Sequence, residues 1–336
     1  MDNPKKPWCC SRCHHRPSTL SGVRLGVLDV GSNTVHLVAI DARVGGHPTP
    51  MSDWKATMKL VEYLDKDGAI NAKGVNKLLR GVNEAKELAE QLGCDELLPI
   101  ATSAIRSATN SEKILDEVEK ETGIRLQILS GVDEARLTFL AVRRWYGWSA
   151  GRITNLDIGG GSLELTTGTD EEPDLAFSLD LGAGRLTHTW FETDPPSQKK
   201  IGILRDYIDA ELAEPARKLR ACGEVDLAVA TSKTFRSLAR LTGAAPSSAG
   251  PRVKRTLTAA GLRQVIAFIS RMTAADRAEL EGISSDRSHQ IVAGALVAEA
   301  SMRALGLEQM EICPWALREG VILRRIDSGL KAEEEK

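Results

Sequence analysis

The sequence has no long apolar run and no excess of charge of either sign. Its 336 residues include 44 Lys and Arg against 46 Asp and Glu, a formal net charge of −2. A membrane span needs roughly 20 consecutive apolar residues, and neither such a run nor the apolar centre of a signal peptide is present. We therefore expect a cytoplasmic protein with no membrane partner. Near-neutral charge gives no general attraction to nucleic acid, so a polyanion would have to be bound by local groups of Arg and Lys.

Cysteine is scarce, and its spacing argues against a disulfide framework. Three of the six cysteines stand far apart, at Cys94, Cys222 and Cys313, as in proteins of a reducing compartment. The others lie with two histidines in the polar segment 1–22: Cys9, Cys10, Cys13, His14 and His15. This group could hold zinc, but a structural zinc site draws a second ligand pair from farther along the chain, and the sequence offers none. We predict that residues 1–22 form a disordered extension.

The sequence does contain one short motif that occurs twice. LDVGSNT spans residues 28–34 and LDIGGGS spans 156–162, each after an apolar stretch and before alternating apolar residues. Each copy predicts a β-hairpin whose first strand ends in an acid and whose turn lacks bulk. The backbone N–H groups and small hydroxyls of such a turn can surround an oxyanion. Two such turns facing each other would form a phosphate clamp.

The repeat also divides the chain. A length of 336 residues exceeds what one hydrophobic core usually organises, so two domains are expected. We predict domains at 23–130 and 131–330 and a tail at 331–336, with the last helix free to pack back on the first domain. A duplicated α/β domain headed by this hairpin resembles the actin-like (ribonuclease H-like) superfamily of ATPases and kinases. That resemblance implies a cleft between the two domains.

Six motifs narrow the resemblance. In chain order they are LDVGSNT, ATSAIRSATN, SGVDEAR, LDIGGGSLEL, LGAGRLT and LREGVI. Each alone would be a weak signal, because glycine-rich turns are common, but six in order are specific. Together they resemble the exopolyphosphatase and guanosine pentaphosphate phosphohydrolase (Ppx/GppA) family over about Val23 to Ile326. The chain ends before the helical module of the family's longer members and is similar to its short, two-domain type.

Two turns and one arginine supply the candidate phosphate ligands. Hydrolysis of a phosphoanhydride requires a terminal phosphoryl group held in line, its charge neutralised, and one oriented water. The candidates are Gly31, Ser32, Asn33, Thr34, Gly159, Gly160, Gly161, Ser162 and, as a bidentate partner, Arg106. In a single turn, the glycines would be explained more simply by a need for positive φ, and the small polar residues by local turn hydrogen bonds. Arg106 alone would be explained by a position on the solvated surface. The second, similar turn favours phosphate binding.

Two aspartates, Asp29 and Asp157, end buried strands beside a glycine and are candidate metal ligands. A carboxylate there is costly unless it accepts hydrogen bonds or meets a cation. Mg²⁺ bound partly through water is the cation we expect, although another divalent cation would suit the same ligands. The alternative is an aspartate that caps its own turn. The resemblance points to Asp157 together with Glu164, whereas Asp29 is supported by its position alone.

Two glutamates are the candidate catalytic residues. Glu134 lies in the first turn of a predicted helix, where an acid also suits the helix dipole. The resemblance implies that Glu134 is the catalytic base, because it matches the glutamate before Ala-Arg in the family's motif, and Asp133 does not. Glu164 lies two positions after Ser162 on the outgoing strand and so on the same face. The resemblance gives Glu164 a role in placing water or metal; the alternative is a solvent-facing strand residue.

The resemblance implies Mg²⁺-dependent release of terminal orthophosphate from inorganic polyphosphate. Guanosine pentaphosphate is the alternative substrate, because it carries the same terminal anhydride. Kinases of the superfamily seat adenosine on a glycine-rich segment near Thr231, and Lys233 and Arg236 stand there instead, which counts against a kinase. A non-catalytic sensor of polyphosphate or nucleotide is the third hypothesis, since actin-like domains can signal by closure. The helices that follow Ala259 offer a face for a homodimer.

Overall fold

The computed structural model describes residues 22–43 and 45–334. The predicted N-terminal extension, apart from Gly22, lies outside the described residues, and so does its cysteine and histidine group. Residue contacts divide the chain into two units. The first unit contains the residues up to Leu129 and those from Val321 onward, and the second contains Ser130–Gly320.

The first unit is built on a five-stranded sheet. Its strands are β1 (Val23–Val30), β2 (Thr34–Ala42), β3 (Ser52–Thr57), β4 (Glu96–Ala101) and β5 (Gln127–Ile128). They lie in the order β3-β2-β1-β4-β5; the first three are antiparallel, and β4 and β5 continue the sheet in parallel with β1. The helices are a 3₁₀ helix (Leu60–Tyr63), α1 (Ala72–Gln91), α2 (Ser103–Arg106) and α3 (Ser111–Thr122).

The second unit is built on a six-stranded sheet. Its strands are β6 (Ile153–Ile158), β7 (Leu163–Gly168), β8 (Leu175–Leu179), β9 (Leu227–Thr231), β10 (Thr256–Thr258) and β11 (Gln309–Ile312), in the order β10-β11-β9-β6-β7-β8. The α-helices are α4 (Gly131–Tyr146), α5 (Ala183–Trp190), α6 (Gln198–Ala221), α7 (Ser232–Leu241), α8 (Ala259–Ile269), α9 (Ala274–Ala278) and α10 (Ile291–Leu305). The last helix, α11 (Leu317–Glu334), begins in this unit and continues in the first.

Both sheets share one arrangement of four strands. In the first unit the β1-β2-β3 meander has the parallel strand β4 beside β1; in the second the β6-β7-β8 meander has the parallel strand β9 beside β6. A glycine-containing turn joins the first two strands in each unit. The predicted fold class, a duplicated α/β protein, is confirmed.

Each unit has its own hydrophobic core. In the first, Leu28 and Leu37 of the sheet pack with Leu78 and Val82 of α1, which stand four residues apart on one helix face. In the second, α10 is buried along almost its whole length because α5, α6, α7 and α8 pack around it. Although α10 is mostly apolar, no helix in the described part of the chain combines the length and apolarity that a membrane span requires.

A fully buried arginine fixes the position of α4. The Arg143 guanidinium donates to the carbonyl oxygens of Gly147 and Gly151, at 3.1 and 2.8 Å, and to that of Gly168 at the end of β7, at 2.9 Å. These bonds use donors that would otherwise be costly to bury. They fasten the C-terminal end of α4 to the sheet, and the N-terminal end of the same helix carries Glu134.

Candidate active site

The glycine turn of the second unit is held by the first residues of α5. The N–H of Ala183 donates to the Gly159 carbonyl at 3.0 Å, and the N–H of Arg185 donates to the Gly160 carbonyl at 2.9 Å. The Arg185 side chain completes the set, because its Nε donates to the Gly161 carbonyl at 2.9 Å. Three consecutive carbonyl groups of the turn therefore point toward α5.

This arrangement fixes where the N–H groups of the turn point. In a trans peptide the C=O and the following N–H are antiparallel. The N–H groups of Gly160, Gly161 and Ser162 consequently point away from α5, on the opposite side of the turn. Successive N–H groups with one direction form a concavity that binds anions. This direction is compatible with the predicted role of the turn in binding phosphate, which stays a prediction.

The contact between this turn and α5 has no room for a side chain at Gly182. A Cβ placed there would lie 2.2 Å from the carbonyl carbon of Gly161 and 2.3 Å from the nitrogen of Ser162. Gly182 has φ −70° and ψ 143°, which any residue can adopt, so close approach alone explains the glycine. The sequence analysis quoted LGAGRLT as a family motif and gave it no role; the structure shows that it supports the turn.

The first unit holds its turn in the same way. The carbonyl of Ser32 accepts from the N–H of Leu60 at 2.7 Å, and that of Asn33 accepts from Met58 at 2.7 Å and Lys59 at 3.1 Å. By the same antiparallel rule, the N–H groups of Asn33 and Thr34 point away from residues 58–60. Lys59 has φ 54°, a left-handed conformation that is rare outside glycine and is retained where the surroundings require it.

A row of polar side chains crosses the second sheet beside its glycine turn. Asp157 of β6 is the direct partner of Glu164 on the antiparallel strand β7, and of Thr231 on the parallel strand β9. Glu164 in turn faces Ser178 of β8. Directly opposed residues share a sheet face, and two hydrogen bonds join the row: Thr231 Oγ1 donates to Asp157 Oδ2 at 2.6 Å, and Ser178 Oγ donates to Glu164 Oε1 at 2.9 Å.

The two carboxylates of this row are electrostatically strained. Burial raises the pKa of Glu164 well above its ordinary value, and the nearby charges of Glu134 and Asp157 raise it further. Burial also raises the pKa of Asp157, although the bond from Thr231 and the positive charge of Arg236, Arg318 and Arg287 oppose that shift. Two adjacent acids, of which Glu164 is buried and Asp157 half-buried, are stable as anions only when a cation or bound donors compensate them.

Glu134 lies within electrostatic range of this pair. It occupies the first turn of α4, which packs against β7 and β8, and its charge contributes to the raised pKa of Glu164. Capping of α4 is carried out by its neighbours: Ser130 Oγ accepts from the Asp133 N–H at 3.0 Å and donates to Asp133 Oδ2 at 2.7 Å. Asp133 thus makes both contacts to the N-cap residue Ser130, and Glu134 beside it is half-buried.

The first unit differs at the equivalent positions. Asp29 is half-buried, and its partner on β2 is His36 in the place where the second unit has a carboxylate. His36 Nε2 lies 2.6 Å from Oδ1 of Asp53, an exposed residue. Arg106 ends α2, and its Nη1 donates to the Leu129 carbonyl at 2.9 Å, so one of its donors is used within the unit. The assignments of Asp29 as a metal ligand and of Arg106 as a phosphate ligand stay predictions.

Three arginines gather around Asp157, and the sequence analysis recognised only Arg236 among them. Arg287, before α10, and Arg318, in the first turn of α11, both lie close enough to stabilise the Asp157 anion. The basic segment 252–255, by contrast, is engaged in the fold: Arg255 donates to the carbonyls of Ala245 and Gly250, at 2.9 and 3.0 Å, and Lys254 pairs with Glu311. These two residues hold a loop together.

The acids of the second unit suit a hard divalent cation. Asp157 and Glu164 offer carboxylate oxygens from opposed positions, which is the donor type that Mg²⁺ prefers. Within residues 22–43 and 45–334, no group of three or more His, Cys, Asp or Glu side chains could hold a metal ion. A cation at Asp157 and Glu164 would therefore need phosphate oxygens and water as its remaining ligands, as Mg²⁺ commonly has.

Replacement of Glu164 by Gln should stabilise the metal-free protein while impairing its chemistry. The folded-state pKa of Glu164 is raised, so ionisation costs folding free energy once the pH rises above the unfolded-state pKa, and in full above the folded pKa. We expect Glu164→Gln to raise the free energy of unfolding at about pH 8, and to have a smaller effect at a pH below the unfolded-state pKa of Glu164. Thermal unfolding at both pH values, with and without Mg²⁺, measures this. An equal effect at both would contradict it.

Two α/β units with one strand plan, each with an acid and a glycine-containing turn after its first strand, define a protein with the duplicated actin-like fold. An exopolyphosphatase from Cytophaga hutchinsonii has this fold, with a TM-score of 0.82, 22% identity and coverage of 91% of this chain and 98% of that one. The family model described as the Ppx/GppA phosphatase family matches residues 39–329. The chain belongs to the Ppx/GppA phosphatase family, as its six motifs suggested.

Curated relatives cover nearly the same region. A Mycobacterium tuberculosis protein named exopolyphosphatase 1 is 68% identical over 306 residues, which is 91% of this chain and 89% of the relative. The protein of the same name from Mycobacterium leprae is 65% identical over 306 residues, 91% of this chain and 90% of its own length. These identities far exceed the 22% identity of the solved exopolyphosphatase structure. The alignments of 306 residues extend across both units.

Proposed function

We propose that this protein is an exopolyphosphatase, a hydrolase that releases terminal orthophosphate from inorganic polyphosphate. The observation that carries the proposal is the row of Asp157 and Glu164 beside the N–H groups of residues 160–162, with Glu134 in electrostatic range. The names of the mycobacterial relatives support the same activity. Lys233 and Arg236, in place of an adenosine-binding glycine segment, favour a substrate made of phosphate groups.

The candidate site residues of both units have distinct roles in the proposed reaction. The N–H groups of Gly160, Gly161 and Ser162 bind the terminal phosphoryl oxygens and balance their charge. Asp157 and Glu164 would hold Mg²⁺, which when bound neutralises phosphate charge and orients the phosphoryl group. Asn33, Thr34 and Arg106 of the first unit are proposed as further phosphate ligands.

Glu134 acts as the general base. It accepts a proton from the attacking water as the water oxygen bonds to the terminal phosphorus. The bridging P–O bond breaks, and the shortened polyphosphate leaves with the bonding electron pair, so that orthophosphate and a chain one unit shorter are the products. The phosphate ligands compensate the negative charge of the chain end throughout the reaction.

Two further properties are proposed on narrower grounds. Cys94, Cys222 and Cys313 are all free thiols, which fits a reducing cytoplasm. The helices after Ala259 are proposed as the face of a homodimer, and size-exclusion chromatography with light scattering would measure the mass of the particle.

The test is orthophosphate release from tripolyphosphate, long-chain polyphosphate and guanosine pentaphosphate, each with Mg²⁺ and with a chelator. We expect release from polyphosphate that requires the cation. Faster release from guanosine pentaphosphate than from polyphosphate would identify guanosine pentaphosphate as the preferred substrate. Binding of polyphosphate without any release would favour the sensor hypothesis, and transfer of phosphate from ATP to another acceptor would favour a kinase.

A further inference from the structure

The first unit carries a surface groove that the proposed active site does not use. It encloses about 700 Å³ and runs along the first turns of α1. Its polar lining comes from Tyr63, Lys73, Asn76, Lys77, Arg80 and Asn83. Residues three or four apart share a helix face, so this lining forms one stripe, and Lys73 and Arg80 are separated by about 10 Å along the axis.

Apart from Leu79, which adds apolar surface, the residues that line the groove carry hydrogen-bond donors, and three of them are cationic. Residues 72–83 of α1 contain no Asp or Glu. The stripe begins at the helix N-terminus, where the dipole adds positive potential. Glu62, the acid of the neighbouring 3₁₀ helix, pairs with Lys59 at 3.4 Å. A ligand for this surface must therefore present repeated negative charge.

The groove is connected to the turn of this unit that is proposed to bind phosphate. Lys77 Nζ donates to the Met58 carbonyl at 3.0 Å. The backbone N–H of Met58 in turn donates to the Asn33 carbonyl at 2.7 Å. Met58 also packs against α1 at Gly81, where a Cβ would come within 2.6 Å of its methyl carbon. One short segment thus supports both the phosphate turn and the groove wall.

We propose that this groove binds an internal stretch of the polyphosphate chain, away from the end that is hydrolysed. The inference rests on the proposed function and deepens it, because it makes affinity depend on chain length. The stripe from Lys73 to Arg80 alone spans about 10 Å, so we expect tripolyphosphate to bind at the turn without filling the groove and a long chain to engage both. The groove then raises the local concentration of chain ends near the turn.

Nucleic acid fits the groove less well than polyphosphate does. Single-stranded nucleic acid gains much of its affinity from bases stacked on aromatic rings. Tyr63 is the aromatic residue in the lining, and Lys77 Nζ lies 5.5 Å from the centre of its ring. That cation occupies a ring face on which a base would stack.

The test compares Lys73→Gln/Arg80→Gln with a control that has the same charge change. Both residues are exposed, and the matched control is Lys113→Gln/Lys120→Gln on α3 of the same unit. Binding is measured in the Glu134→Gln background, so that no substrate is consumed, with tripolyphosphate, long-chain polyphosphate and a single-stranded RNA. Orthophosphate release by the native protein is measured separately and tests the proposed function.

We expect the groove variant to weaken long-chain binding by roughly tenfold and to leave tripolyphosphate binding unchanged. The slope of log Kd against log salt should fall by roughly 1 to 2 for two lost cations. Lys73→Glu/Arg80→Glu should have a larger effect, and thermal unfolding should show that all variants fold. Unchanged long-chain affinity, an equal loss in the α3 control, or tighter binding of RNA than of polyphosphate would overturn the inference. Absence of release with intact long-chain binding would overturn the proposed function alone.

Discussion

Glu134→Gln should reduce the rate of orthophosphate release by roughly 10²- to 10⁴-fold while leaving polyphosphate affinity almost unchanged. Gln retains the size and polarity of the side chain but cannot accept the proton of the attacking water, and a general base contributes about that factor. Glu134 is half-buried on α4 and near Glu164, so its loss also removes one of the charges that raise the pKa of Glu164. Single-turnover phosphate release and equilibrium binding separate the two effects.

The neighbouring acid supplies the control for this experiment. Asp133 accepts the hydroxyl hydrogen bond of Ser130, the N-cap residue of α4, at 2.7 Å. Asp133→Asn should therefore lower the free energy of unfolding by about 1 kcal/mol or less, with little change in rate. If Asp133→Asn instead stopped the reaction and Glu134→Gln did not, the assignment of the base would be wrong. If both were active, the base would lie elsewhere.

Local sequence predicted the two hairpins well. An apolar strand, an acid, small residues and an alternating strand are sufficient to specify each hairpin. Because strand residues alternate, Asp157 and Glu164 had to share a face once the hairpin closed symmetrically about its turn. The family motif added the proposed role of Glu134, which an isolated acid in the first turn of a helix does not suggest.

Interactions between distant segments were not predictable in this way. The register of the parallel strand β9 decides that Thr231 meets Asp157, whereas in the first unit Ile100 stands opposite Asp29. Ser178 bonds Glu164 from a third strand. The support of the glycine turn by α5 involves residues about twenty positions farther along the chain, and the signal that could have revealed it was the pair Gly182 and Gly184 at the start of a helix.

Gly182→Ala should disable the phosphate turn while leaving most of the fold intact. The added methyl group would stand 2.2 Å from the backbone of Gly161, so the turn or α5 must move. We expect release to fall by roughly 10²-fold or more, because displacing a single donor from an oxyanion site has about that effect. The cost in folding free energy should be about 1–3 kcal/mol, as for other overpacked sites.

Gly202→Ala is the matched control for that substitution. Gly202 lies in α6, and no atom comes within 4 Å of the position where its Cβ would be. Alanine there should stabilise the protein by about 0.5–1 kcal/mol, since glycine is unfavourable inside a helix, and should leave catalysis unchanged. The decisive readings are phosphate release and tripolyphosphate affinity, both measured well below the unfolding temperature of each variant. Normal kinetics for Gly182→Ala would show that the turn keeps its function when α5 is displaced, and the proposed origin of its donor geometry would then be incorrect.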